Sequence, residues 1–166
     1  MSEHAPPILI AGVGNIFLGD DGFGPELIRQ LLPCFDGDRG VRIADYGIGG
    51  MHLAYDLLED WSALVLIDAV PNRGCPGSLH VFDADRESLC ATAGLDAHGM
   101  DPGAVFSGLR ALGGTAPRTI VVGCEALDSG DRIGLSEPVS AALPTAVQAV
   151  QAVVAMLRGQ PAVQEA

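Results

Sequence analysis

Five short apolar segments recur along the chain in the manner of β-strands. Three of them are almost uninterrupted, as strands buried on both faces of a parallel sheet are, and one alternates apolar with polar residues, as a half-buried strand does. They cover residues 7–13, 41–46, 63–70, 78–82 and 119–124. The sequence therefore predicts a central sheet of about five strands.

Between the strands, apolar residues recur every three or four positions, which is the spacing of one face of an α-helix. Helices are predicted for residues 23–31, 49–59 and 102–112 and for a last segment that begins at about 137. Because strands and helices alternate, we expect a three-layer α/β/α sandwich around a twisted, mostly parallel sheet. The connection at 70–76 is too short for a parallel crossover, so one strand there is expected to run antiparallel.

The length indicates one domain. The chain has 166 residues and shows neither a linker nor an internal repeat, which suits one domain of ordinary size. We expect a single domain over residues 1–166, with its core at about 7–158 and a loose tail after 159. Residues 83–99 show no clear periodicity and are predicted to form a long loop, a kind of segment that often carries function in a compact domain.

The charge balance excludes several classes of partner. Acidic residues outnumber basic ones by 21 to 9, so the net charge is −12, and such a chain is a poor ligand for nucleic acid or an anionic membrane. Its 48% hydrophobic content argues against disorder. No apolar run is long enough to predict a membrane span, and the opening MSEHAPP lacks the features of a signal peptide. The four cysteines form no CxxC pair, so we expect reduced thiols in a cytoplasmic protein.

Carboxylates follow two of the predicted strands, at the end where open parallel sheets bind their ligands. Asp20 and Asp21 follow the first strand; one of them is expected to cap the next helix, and one cap is enough. Asp68 closes the most apolar strand, where a carboxylate is costly to bury unless it is paired, hydrogen-bonded or bound to a metal. Asp68 is therefore either a site residue or a cap for the N–H groups of the next loop.

A histidine in the predicted long loop completes a candidate metal site. His98 lies in the glycine-containing stretch DAHGM, and taken alone a loop histidine is more often a surface residue. Together with Asp21 and Asp68, it would supply two carboxylates and one imidazole. That mixed oxygen and nitrogen set suits a borderline divalent transition-metal ion and leaves coordination positions open. Only the shared position at the strand ends brings the three together, because they are far apart in sequence.

Two other kinds of site fit the sequence less well. Gly12 and Gly14 begin a GxGxxG dinucleotide motif, but Phe17 occupies the third glycine position, and the two following carboxylates would repel a phosphate. Cys124 and His98 are candidates for a nucleophilic pair. However, Cys124 closes an apolar strand, where burial raises the pKa of a thiol and makes it inert.

Several motifs in the same order resemble one family. The opening ILIAGVGNIFLGDDGFGPELI is similar to the N-terminal motif of the hydrogenase maturation endopeptidases, which trim the C-terminal extension of the large subunit of [NiFe] hydrogenases. The similarity continues through DYGIGGMHLAYDL, LVLIDAVPNRGCPGSL, DAHGMDP, TIVVGCE and GLSEPV, and it covers roughly residues 7–158. The shared order and spacing are far more specific than any single glycine loop.

The resemblance implies a fold, a site and a partner. The fold of the family is a three-layer α/β/α sandwich, in agreement with the pattern. The metal-binding and catalytic positions of the family correspond here to Asp21, Asp68 and His98; Asp21 matches by position, with its neighbour Asp20 as the alternative. The implied partner is the precursor of a [NiFe] hydrogenase large subunit, and the nickel is expected to arrive with that substrate, so the isolated protein need not contain it.

The chemistry of cleavage is not fixed by the resemblance. Either a carbonyl polarised by the metal or Asp68 acting as a general base would promote attack by water. A non-catalytic module that binds nickel or the precursor, in the manner of a chaperone, would use the same residues. A nucleotide-binding α/β domain is the second alternative.

Overall fold

A five-stranded sheet forms the centre of the computed structural model, which describes residues 4–84 and 102–159. The strands are Ile8–Val13 (β1), Val41–Gly47 (β2), Ala63–Val70 (β3), Leu79–Ala84 (β4) and Thr119–Glu125 (β5), in the spatial order β2-β1-β3-β5-β4. β1 pairs in parallel with β2 and β3, and β3 pairs in parallel with β5. β4 is antiparallel to β5. The predicted strands, and the antiparallel strand among them, are confirmed.

Helices cover both faces of the sheet. They are Phe23–Leu31 (α1), Gly50–Asp56 (α2), Pro102–Ala111 (α3) and Glu137–Leu157 (α4), with 3-10 turns at Gly19–Gly22 and Leu32–Phe35. Ile10 and Ile67 point into the core beneath α1 and α4. Leu9 and Leu66, one position away on the same strands, point into the core beneath α2 and α3. This alternation gives two hydrophobic layers on one sheet, so the predicted three-layer sandwich is confirmed.

The last helix is long and apolar. By length and composition alone, α4 would be able to cross a membrane. Its inner face packs in the core through residues that include Val139, Leu143 and Val150. Its outer face exposes Gln148 and Gln151. Helices with one apolar face against a sheet and a polar outer face are typical of protein cores, and we assign α4 to that class.

Glycine allows α1 to begin directly against two strands. A Cβ atom on Gly24, in the first turn of α1, would lie 2.3 Å from the carbonyl oxygen of Val13 and 2.8 Å from that of Ile67. Both are backbone atoms, which cannot move aside without distorting the sheet. The start of α1 therefore lies at the junction of β1 and β3. The chain turns to opposite sides of β1 here, and such points are where open α/β sheets bind ligands.

Some predicted features fall on residues that the structure does not describe. Residues 85–101, which include His98 and most of the predicted long loop, lie outside the described residues. The predicted tail does so from residue 160 onward. The predicted helix at 49–59 is shorter in the structure, because α2 ends at Asp56.

Candidate active site

Asp21 lies in the 3-10 turn that precedes α1. The turn contacts β3, and Asp21 is buried, with 7% of its surface exposed. Its Oδ2 accepts a hydrogen bond of 2.7 Å from the backbone N–H of Asn15. A Cβ on Gly14 would lie 1.9 Å from the carbonyl oxygen of Asp21, and Gly14 has a φ of +138°, so glycine is required there. The loop thus holds a buried carboxylate at the end of β1.

Asp68 lies near the carboxyl end of β3. It is half-buried, and its position two residues after Leu66 places it on the α2 and α3 side of the sheet. Ile67, the residue before it, pairs with Gly12 of β1, and Asp68 itself pairs with Gly123 of β5. Because the turn that carries Asp21 packs on β3, both predicted carboxylates belong to the β1–β3 junction.

Asp20 has a different role from its neighbour. It is fully buried, and its carboxylate accepts four hydrogen bonds. They come from the backbone N–H groups of Leu127, Asp128 and Ser136, at 2.7–2.9 Å, and from the Ser136 hydroxyl at 2.7 Å. Burial alone would raise the pKa of Asp20, but these hydrogen bonds together hold it below its usual value. Asp20 therefore fastens the β5–α4 connection to the β1–α1 loop.

The prediction that Asp20 or Asp21 caps the next helix is wrong. The N-cap residue of α1 is Gly22, and no side chain caps the helix. The physical reason is the 3-10 turn, which directs Asp20 to the β5–α4 connection and Asp21 to the N–H of Asn15. Two buried carboxylates directly before α1 also disfavour a phosphate at its N-terminus.

The third predicted ligand, His98, lies outside the described residues. Within residues 4–84 and 102–159, no three His, Cys, Asp or Glu side chains are grouped so that they could hold a metal ion. The described part of the chain thus contributes two carboxylates to the candidate site, and the role of His98 stays a prediction.

Cys124 is an inert core residue. It is fully buried beneath α1 and α4, and burial, with smaller contributions from Asp20 and Glu125, raises its pKa to about 12. A thiol with this pKa is protonated at neutral pH and is not a nucleophile. This geometry confirms that Cys124 is a poor candidate for a nucleophilic pair.

Alkylation should distinguish the exposed from the buried cysteines among the three that the structure describes. Cys34 and Cys75 are exposed, so brief treatment of the native protein with iodoacetamide in mildly alkaline buffer should label both. Cys124 should stay unlabelled until the protein is unfolded. Peptide mass mapping before and after denaturation measures this. Rapid labelling of Cys124 in the native protein would contradict its placement in the core.

Sequence reasoning placed an acidic residue at the end of β5 but gave it no role. Glu125 is 3% exposed and contacts the imidazole Nε2 of His80 at 2.7 Å. Its other oxygen accepts hydrogen bonds from the backbone N–H groups of Arg73, at 2.7 Å, and Cys75, at 3.2 Å. The available signal was the one that drew attention to Asp68, because Glu125 also closes an almost uninterrupted apolar strand.

Comparison with known proteins adds a family to this geometry. Residues 25–153 match the family model for hydrogenase maturation proteases of the HycI type. The chain is 31% identical to a putative hydrogenase maturation protease of Methanocaldococcus jannaschii, over 86% of this chain and 93% of the relative. It is 29% identical to the hydrogenase 2 maturation protease of Escherichia coli, over 87% and 88%.

The fold is shared with a solved structure. The hydrogenase maturating endopeptidase HybD from Escherichia coli superimposes with a TM-score of 0.76 at 27% identity, over 92% of this chain and 94% of that one. Each of these three proteins is matched over most of its length.

Proposed function

Because this chain belongs to the hydrogenase maturation protease family, we propose that it is an endopeptidase that removes the C-terminal extension of a [NiFe] hydrogenase large-subunit precursor after nickel insertion. The observation that carries this proposal is the family match over residues 25–153 together with the HybD-like fold. The pair of carboxylates at the β1–β3 junction supports it, because this is where such sheets bind ligands.

The proposed site recognises nickel that the substrate presents. Asp21 and Asp68 would contribute carboxylate oxygens, and His98 an imidazole nitrogen, to the ion held by the precursor. Carboxylate and imidazole are ligands that suit a borderline divalent metal ion. Three protein ligands leave positions for the groups with which the precursor itself holds the nickel. The protein thus completes a coordination sphere that the substrate begins.

This arrangement would distinguish loaded from empty precursor. In the loaded complex, the positive charge of the nickel ion compensates the negative charges of Asp21, which is buried, and Asp68, which is half-buried. In the empty complex, the same carboxylates face the substrate without a cation, and like charges close together are unfavourable. A difference of about 1.4 kcal/mol already gives tenfold discrimination. We therefore expect the loaded precursor to be preferred by a factor of about ten or more.

Processing in vitro tests this function. Nickel-loaded and nickel-free forms of the large-subunit precursors from the source organism are incubated with the protein, and mass spectrometry follows their length. The expected result is loss of the C-terminal extension from a loaded precursor only. Equal cleavage of both forms would contradict nickel recognition. Binding without any shortening would favour the non-catalytic chaperone instead of the peptidase.

A further inference from the structure

Three residues on adjacent strands form a row across the sheet beside the candidate site. Gly123 of β5 pairs with Asp68 of β3 on one side and with His80 of β4 on the other. Residues in register on neighbouring strands share a face of the sheet, so Asp68 and His80 lie on the same side. Adjacent strands are about 4.8 Å apart, which places the Cα atoms of Asp68 and His80 about 10 Å from each other.

Glu125 fixes the imidazole of His80. The Glu125 side chain is 4% exposed, whereas that of His80 is 43% exposed. The hydrogen bond with His80, together with those from the N–H groups of Arg73 and Cys75, lowers the pKa of Glu125, so the carboxylate is ionised at neutral pH. An ionised carboxylate is an acceptor only. The Nε2 atom of His80 therefore carries the proton that is donated to Glu125.

This proton fixes the chemistry of the other ring nitrogen. In a neutral imidazole with its proton on Nε2, the Nδ1 atom is an acceptor. The ring is held from the buried side by Glu125, and the exposed part of His80 remains accessible to a ligand. His80 thus presents an oriented hydrogen-bond acceptor about 10 Å from Asp68.

We propose that His80 is a substrate-binding residue whose Nδ1 accepts a hydrogen bond from a main-chain N–H of the precursor, about three residues from the cleaved bond. An extended chain advances about 3.3 Å per residue, so three residues span the distance from Asp68 to His80. Glu125 is the positioning residue that sets the tautomer and the orientation of the ring. This inference rests on the proposed function, since it assumes a peptide substrate held at Asp68.

Glu125→Gln inverts the tautomer without removing the side chain. One oxygen of Glu125 faces two backbone N–H groups, those of Arg73 and Cys75, so the amide oxygen of Gln must stay there. The amide NH₂ group then faces His80 and donates to Nε2, which moves the ring proton to Nδ1. At Nδ1, a hydrogen-bond donor thus replaces the acceptor that would meet the substrate. The N–H groups of Arg73 and Cys75 keep their hydrogen bonds to residue 125.

The test compares Glu125→Gln and His80→Gln with the wild type in one mildly alkaline buffer. Gln at position 80 places an amide near the former Nε2, keeps a partner for Glu125 and lacks Nδ1. Both variants should raise the KM for a nickel-loaded large-subunit precursor, and its Kd in a direct binding assay, about five- to tenfold. Their kcat should stay within about twofold of the wild type, because uniform binding alone is lost.

A matched control and a spectroscopic signature separate binding from folding. Val81→Thr changes an equally accessible residue on the opposite face of β4, since Val81 is 47% exposed, and should leave KM and Kd unchanged. Nitrogen-15 NMR of labelled His80 should show the proton on Nε2 in the wild type and on Nδ1 in Glu125→Gln. If His80 and Glu125 only stabilised the fold, this change of tautomer would not alter the affinity for the substrate.

The outcomes distinguish this inference from the proposed function. Unchanged KM and Kd in both variants, or a fall in kcat with unchanged KM, would overturn the role of His80. If the wild type binds the loaded precursor but does not shorten it, the peptidase function fails, while the Kd series still decides the role of His80. Absence of binding by the wild type would overturn both.

Discussion

Replacing Asp68 with Asn is expected to lower the rate of processing of nickel-loaded precursor by about 100-fold or more. Asn has the same shape as Asp but no charge, so it is a much weaker partner for a metal ion. Removing one member of a desolvated charge pair costs roughly 2–5 kcal/mol, and about 2.7 kcal/mol corresponds to 100-fold. The measurement is the initial rate of loss of the C-terminal extension, followed by mass spectrometry.

A second aspartate serves as the control for this charge change. Asp36 is exposed and precedes β2, at the opposite end of the sheet from Asp68. Asp36→Asn removes the same charge and should leave the processing rate within about twofold, as surface substitutions usually do. If Asp68→Asn processed the loaded precursor as fast as Asp36→Asn, then Asp68 would not belong to the site.

The hydrophobic pattern was sufficient to predict the layers of the fold. Uninterrupted runs predicted the fully buried strands β1 and β5, because a strand covered on both faces needs apolar residues at every position. The short segment after β3 predicted the antiparallel β4, since a parallel crossover needs a longer chain. These features depend on local sequence, so local sequence reveals them.

The hydrogen bonding of buried carboxylates was not predictable in the same way. Asp20 and Asp21 are adjacent, and the helix-capping rule treats them alike. In the structure, Asp20 bonds to groups 107–116 residues away, whereas Asp21 bonds to Asn15, six residues away. Glu125 likewise reaches His80 across 45 residues. Contacts at such separations depend on how the loops meet in space, which no periodicity encodes.

Replacing Asp20 with Asn is expected to lower the free energy of unfolding by about 3 kcal/mol. One oxygen of Asp20 faces the N–H of Ser136, and the other faces the N–H groups of Leu127 and Asp128. In either orientation, the NH₂ group of Asn would point at a backbone donor. The variant therefore loses charge-assisted hydrogen bonds worth roughly 1.5–3 kcal/mol each and leaves a buried donor unsatisfied.

Thermal unfolding measures this effect. A loss of 3 kcal/mol should lower the Tm by about 6–12 °C for a domain of this size. The structural consequence is a weaker connection between the β1–α1 loop and the segment before α4. A Tm within about 2 °C of the wild type would show that the four hydrogen bonds of Asp20 do not stabilise the fold.

Asp21→Asn should differ from Asp20→Asn in both effects: it should change the stability little and lower the processing rate strongly. The amide oxygen of Asn can keep the hydrogen bond from the N–H of Asn15, so the expected loss of stability is smaller than for Asp20→Asn, about 1 kcal/mol. Processing of loaded precursor should nevertheless fall about 100-fold, as for Asp68→Asn, because the charge that would face the nickel is removed.

Asp20→Asn, assayed well below its Tm, should still process the precursor. If Asp20→Asn instead kept its Tm and lost nickel-dependent processing, then Asp20 would be the first acidic ligand and Asp21 would not.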